Sequence, residues 1–122
     1  MRKLMLIMVI VFCMVTFVGC SEPSDASKQA LSIGNQVIEI TDEYLDSKIS
    51  ASEACAQIEK FDGQIDHEVD RKYYDDYFIW SGINSISHSL FMSSYKGGNE
   101  NYEQVLVRRN ALAKTLGKGT RK

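Results

Sequence analysis

The chain has 122 residues, of which 44% are hydrophobic and 25% charged, with eight Gly, one Pro and a formal net charge of −2. That is room for one domain, it is too apolar for a disordered chain, and its acidic balance argues against a general nucleic-acid binder. The apolar residues are concentrated at the start.

Met1-Arg2-Lys3 is a short basic opening, and Leu4 to Val18 then runs fifteen residues without a charge. The chain turns polar directly after Gly19-Cys20, with Ser21-Glu22-Pro23-Ser24-Asp25. A basic stretch, an apolar stretch and a small residue at the break describe a secretory signal peptide. The apolar run falls short of the ~20 residues a spanning helix needs. The alternative is an N-terminal anchor that is never cleaved.

The four residues Phe17-Val18-Gly19-Cys20 resemble the lipobox of bacterial lipoproteins, with Phe17 where that family usually has Leu. The resemblance covers only the first twenty residues. It implies cleavage between Gly19 and Cys20, a diacylglyceryl thioether on the Cys20 thiol, and often acylation (palmitate) of the new amino group. A thiol is the one side chain here that can carry such a lipid. One acyl chain gives only marginal membrane binding (~0.8 kcal/mol per buried CH₂), whereas two or three give stable anchoring. The expected protein is lipid-anchored on the extracytoplasmic side of a bacterial envelope, with residues 1–19 as signal peptide, 20–24 as lipidated Cys and tether, and 25–122 as the folded domain.

Without residues 1–19 the chain keeps 103 residues, 12 basic and 16 acidic. It is large enough for one modest core. Two cysteines remain. With Cys20 lipidated, Cys55 has no disulfide partner, so the core must be self-sufficient. Ser21 to Ser24 reaches only ~14 Å at ~3.5 Å per residue, which holds the domain close to its membrane. Ser21 to Glu100 carries 6 basic and 15 acidic residues, and Asn101 to Lys122 carries 6 basic and 1 acidic. This predicts a basic last helix lying across acidic neighbours. The competing reading sets its outer face, with the tail Gly117 to Lys122, on anionic lipid.

Ser24 or Asp25 can start a first helix. Leu31, Gly34, Val37, Ile38, Thr41, Tyr44 and Leu45 follow at three- and four-residue steps, and the helix ends near Ser47. Ser50 and Glu53 then have the spacing of a capping box, with Ile49 and Ala54 as its hydrophobic staple. A second helix carries Ala54, Ile58, Phe61, Ile65, Val69 and Tyr73 on one face. A third, capped by Asp75 or Asp76, puts Tyr77, Trp80, Ile83, Ile86 and Leu90 on its core side with Phe91 beside them. Helices two and three are also compatible with one long kinked rod. Gly97-Gly98 stops the third. The fourth runs from Asn99–Asn101 to Gly117, acids first and bases later, as the helix dipole favours. The sum is an all-α bundle of three or four helices.

No catalytic, cofactor or metal site is legible. His67 and His88 lack the Glu-x-x-His spacing of di-iron bundles. His67 lies three turns from Cys55 on the expected second helix, too far to activate it. Glu59, Asp62, Asp66 and Asp70 would line one helical face, a solvated acidic face rather than a cation shell. The aromatics are the unusual feature. Eight of the ten beyond residue 20 fall between Tyr73 and Tyr102. Neighbours on a helix diverge by ~100°, so Tyr73, Tyr74 and Phe78 cannot all join the core side of Tyr77 and Trp80. They are the candidate contact residues for an envelope protein partner or for a second copy of the chain. A non-enzymatic interaction module is the first expectation, a self-associating structural protein the second, and an enzyme the least supported.

Overall fold

A computed structural model describes residues 25–66, 74–96 and 99–122. Four helices form among them: α1 (Lys28–Leu45), α2 (Ala51–Glu59), α3 (Asp75–Lys96) and α4 (Asn99–Thr115). No strand occurs among the described residues, and none of their helices is long and apolar enough to cross a membrane. The expected signal peptide, Cys20, Val69, Tyr73 and Gly97-Gly98 lie outside them.

The helices run up-down-up-down. Ser27 meets Asp76 and Tyr44 meets Ser93, so α1 and α3 are parallel. Asp42 meets Arg109 and Leu45 meets Tyr102, so α4 is antiparallel to α1. The Cys55 thiol meets Ser87, which sets α2 on α3. α1 and α3 touch each other and both outer helices, while α2 and α4 do not meet among the described residues. The core is the seam between α1 and α3, filled by Val37, Ile38, Ile79, Ile83, Ile86 and Leu90, with Ala54 and Ile58 from one side and Val105, Leu112 and Leu116 from the other. Gly34 lets three helices close on that seam. A Cβ there would stand 3.0 Å from Leu116 Cδ2 and 3.2 Å from Ile79 Cγ2.

α1 starts later than the sequence suggests. Its N-cap is Ser27, whose Oγ accepts from the Ala30 N–H at 3.1 Å, rather than Ser24 or Asp25. The reason is a tertiary contact. Ser27 donates its N–H to Asp76 Oδ1 at 2.7 Å and its hydroxyl to Asp76 Oδ2 at 2.6 Å. Asp76 is thereby the buried clasp between two helix N-termini, and it and Asp75 are the first helical residues of α3 rather than caps before it. α1 ends with Ser47 in the left-handed region (φ 60°), its N–H donating to the Tyr44 carbonyl while the Lys48 N–H donates to that of Glu43. This is a Schellman closure without its usual glycine. Gly117 (φ 70°) ends α4 in the same way, the Lys118 N–H donating to the Ala113 carbonyl.

α2 begins where the capping box places it, with Ser50 Oγ accepting from the Glu53 N–H at 3.1 Å. It stops at Glu59, far short of Tyr73, and is separate from α3. Phe61 and Asp62 donate their N–H groups to Ile58 and Glu59 carbonyls, three residues back, and Gly63 takes φ 75°. Ile65 is still buried beyond this turn, so a loop satisfies part of the apolar period that suggested a longer helix.

Candidate functional site

α3 is central and its two sides differ. The core side is Asp76, Ile79, Ile83, Ile86, Leu90 and Ser93, all buried. This corrects the expected stripe by one position at its start. Tyr77 is exposed, Trp80 is half-buried, and Phe91 is exposed, while Ile79 occupies the centre. Asp76 can sit on the buried side because Ser27 supplies both of its hydrogen bonds.

The exposed rings form two clusters. Near the start of α3, Tyr74 is 51%, Phe78 44% and Tyr77 36% exposed. Their edges meet the neighbouring faces, Tyr74 to Phe78 at 5.3 Å between ring centres and Tyr77 to Phe78 at 5.7 Å, and Tyr77 continues to Trp80 at 5.9 Å. Near the other end, Phe91 and Tyr95 stack at 6.2 Å, 54% and 81% exposed. Ser81, Asn84 and His88 are also exposed on α3. At 100° per residue, Phe78 and Phe91 point roughly 140° apart, so the clusters face different directions. The structure thus leaves Tyr74 and Phe78 on the surface, as the helical geometry required, and adds Tyr77, Phe91 and Tyr95. The signal for these three was the filled isoleucine stripe, which leaves no room for rings.

Trp80 also borders a cleft of about 210 Å³ between α1, α2, the 60–65 turn and α3. Ile33, Ile58, Phe61, Ile65 and Ile83 line it, with Glu59, Asp62, Asn84 and Ser87 as its polar groups. The acids do not form the expected ladder. α2 ends at Glu59, so Asp62 and Asp66 lie in the following turn and loop, and Asp70 lies outside the described residues. No group of three His, Cys, Asp or Glu among the described residues could hold a metal ion.

Cys55 is a buried free thiol whose sulfur lies 3.8 Å from the Ser87 carbonyl oxygen and 3.9 Å from its hydroxyl. His88 is exposed on the next position, turned ~100° around the helix. His67 lies outside the described residues. The thiol therefore packs as a small apolar group.

The basic C-terminal segment folds onto α1. Arg109 is buried and fork-bonded, Nε to Asp42 Oδ1 at 2.8 Å and Nη2 to Oδ2 at 3.0 Å, with Nη1 donating to the Gly119 carbonyl at 2.7 Å. Asn110 holds the tail, accepting from the Arg121 N–H and donating to its carbonyl. Arg121 reaches Asp42 at 3.1 Å and Asp46 at 2.6 Å. Its hydrogen bond holds the Asp46 carboxyl below its usual range, and Asp46 in turn raises the Arg121 guanidinium. The last helix does lie across acidic neighbours.

No family model, no curated protein and no solved structure matches the chain.

Proposed function

We propose that this chain is a bacterial lipoprotein, held by acyl chains on Cys20 at the extracytoplasmic face of a membrane. It acts without catalysis, as a module that binds a protein neighbour in the envelope through the exposed rings of α3. The anchoring rests on the lipobox-like Phe17-Val18-Gly19-Cys20 behind its apolar stretch. The contact role rests on one observation: four large aromatic side chains on α3, and Tyr74 directly before it, stand exposed while isoleucines and a leucine already fill the helix's core side. Tyr and Phe add contact area at little entropic cost, which is why rings concentrate at interfaces.

Two experiments test this. Metabolic labelling with a fatty-acid analogue should mark the wild-type protein and leave Cys20→Ala unmarked; label on the variant would refute the anchor. A photo-crosslinking residue at exposed Ser81 should trap a second envelope protein in membranes. A product of twice the chain mass would instead favour self-association through the same rings, and absence of any product would refute the contact role.

A further inference from the structure

The residue at which the chain enters the bundle is tied to the start of α3. Asp25 donates its N–H to Asp75 Oδ2 at 3.2 Å, and the Asp75 N–H donates to the Asp25 carbonyl at 3.2 Å. Tyr74 is the next residue to this clasp, and Phe78 stands only about 5 Å further along the helix axis. Four residues, and so five residue steps, separate Asp25 from Cys20, a span of at most ~18 Å whatever their conformation. Phe91 and Tyr95 lie about 24 and 30 Å beyond Asp75 along α3.

We infer that Tyr74, Tyr77 and Phe78 rest in the headgroup layer of the same membrane that holds Cys20, and so set which end of the bundle faces the lipid. This rests on the anchoring half of the function proposed above. It divides the exposed rings, giving the near cluster to the bilayer and leaving Phe91 and Tyr95 for a protein neighbour. Tyrosine suits the site because its ring is apolar and its hydroxyl remains wet, the balance that enriches it at membrane interfaces. Of the nearest carboxylates, Asp75 accepts from the Asp25 N–H and Asp76 is buried against Ser27, while the Asp25 carboxylate is exposed to solvent. The end of α4 lies at this same end of the bundle, since Leu116 and Ile79 both close on Gly34. Lys114 on α4 and Lys118 just beyond it are exposed there, suited to phosphate groups of the headgroups.

The test places one tryptophan at each end. Trp80, the single tryptophan of the chain, is changed to Phe, and into that background go either Phe78→Trp or Phe91→Trp, both at exposed positions that need no repacking. The lipidated full chain is reconstituted into phosphatidylcholine vesicles with brominated acyl chains, and helicity is matched to wild type by circular dichroism. Emission from Phe78→Trp should be quenched at least twofold more than that from Phe91→Trp. Equal quenching would mean that the bundle lies flat, and none at either position would mean that the near rings do not meet lipid; either overturns the inference. A pure lipid vesicle contains no protein, so rings reserved for a protein partner give the unquenched result. Mass spectrometry of Cys20 in the same sample separates this failure from a failure of anchoring: acylated Cys20 with no quenching refutes only the membrane-facing rings, and unmodified Cys20 refutes the anchor.

Discussion

Phe78 and Ile79 are neighbours in sequence that the bundle treats oppositely, and truncating each to alanine measures the division between surface and core. Ile79 is fully buried where α1, α3 and α4 converge, its Cγ2 packed over Gly34. Ile79→Ala leaves a void that backbone on three sides prevents from closing, so the cost should be about 3–4 kcal/mol, in the upper part of the range for such changes. Phe78 is 44% exposed, and its ring neighbours are Tyr74 and Tyr77, themselves open to solvent. Its removal encloses no cavity, and each edge-to-face ring pairing that it breaks is worth ~0.5–1.5 kcal/mol. Alanine's better helix propensity returns about 0.5 kcal/mol. The net cost of Phe78→Ala should be about 1 kcal/mol. For a domain near a hundred residues, 1 kcal/mol moves Tm by roughly 4–8 °C. Thermal melts followed by circular dichroism should therefore fall by about 15 °C or more for Ile79→Ala and by under about 8 °C for Phe78→Ala. Equal losses would refute the assignment of Phe78 to the surface, and with it the contact role of the near rings.

Four other outcomes follow from the same structure. Ser47→Gly should stabilise by about 0.5–1 kcal/mol in chemical denaturation, because φ 60° at Ser47 carries a penalty that glycine escapes. Ser50→Ala should cost about 1 kcal/mol through the lost acceptor for the Glu53 N–H, read in the same assay. Arg109→Ala should cost about 2–4 kcal/mol, and Arg109→Lys should recover less than half, because one ammonium cannot span both Asp42 oxygens and the Gly119 carbonyl; full recovery by lysine would refute the forked geometry. The Asp46 carboxyl is held low by Arg121, so its contribution to holding the tail is present above the ordinary carboxylate range and is lost as pH falls through the lowered value; the protection of the Arg121 N–H against hydrogen exchange, taken relative to the intrinsic rate at each pH, should fall as pH drops below that range, and Asp46→Asn should weaken that acid dependence.

What the sequence makes legible is local. The α1 stripe Val37, Ile38, Thr41 and Leu45 is apparent from spacing alone, as is the Ser50 cap, because each depends on residues three or four positions apart. The stop at Gly117 is equally local, a single residue that can take φ 70° at no cost. The misplacements have long-range causes. Ser27 outcompetes Asp25 as the cap because Asp76, 49 residues away, binds it. α2 ends early because Ile65 reaches the core from a loop, which periodicity cannot distinguish from a further turn of helix. On α3 the weight given to aromatic rings drew the stripe through Tyr77 and Trp80, whereas the seam accepts β-branched isoleucine, which packs in the narrow gap that Gly34 leaves. The candidate contact site was visible as a surplus of rings; its extension to Phe91 and Tyr95 needed the filled core.

The charge pattern bears on how such a bundle would stand on its membrane. The segment after Asn101 is basic enough to suggest adhesion to anionic lipid, but its arginines are used inside the fold. Arg109 and Arg121 neutralise Asp42 and Asp46, and Arg108 donates to the Ser85 carbonyl at 2.8 Å. The tail beyond Lys118 is drawn back along α4 toward the C-terminus of α1, away from the end where Asp25 enters. The three arginines are thus committed inside the fold, two of them closing the C-terminal segment onto α1 and one binding α3, while Lys114, Lys118 and Lys122 stay exposed. What remains near the entry point is the exposed Asp25, three exposed lysines (Lys28, Lys114 and Lys118) and three rings. With Cys20 lipidated as proposed, diffusion on so short a tether would place those rings within reach of the interface, so that binding too weak to recruit a free protein would be enough to orient an anchored one. This is the regime in which linkage replaces affinity by effective concentration. Under that proposal a cluster of only three half-exposed rings, too small to be a strong docking site by itself, would be enough to set the orientation of the bundle.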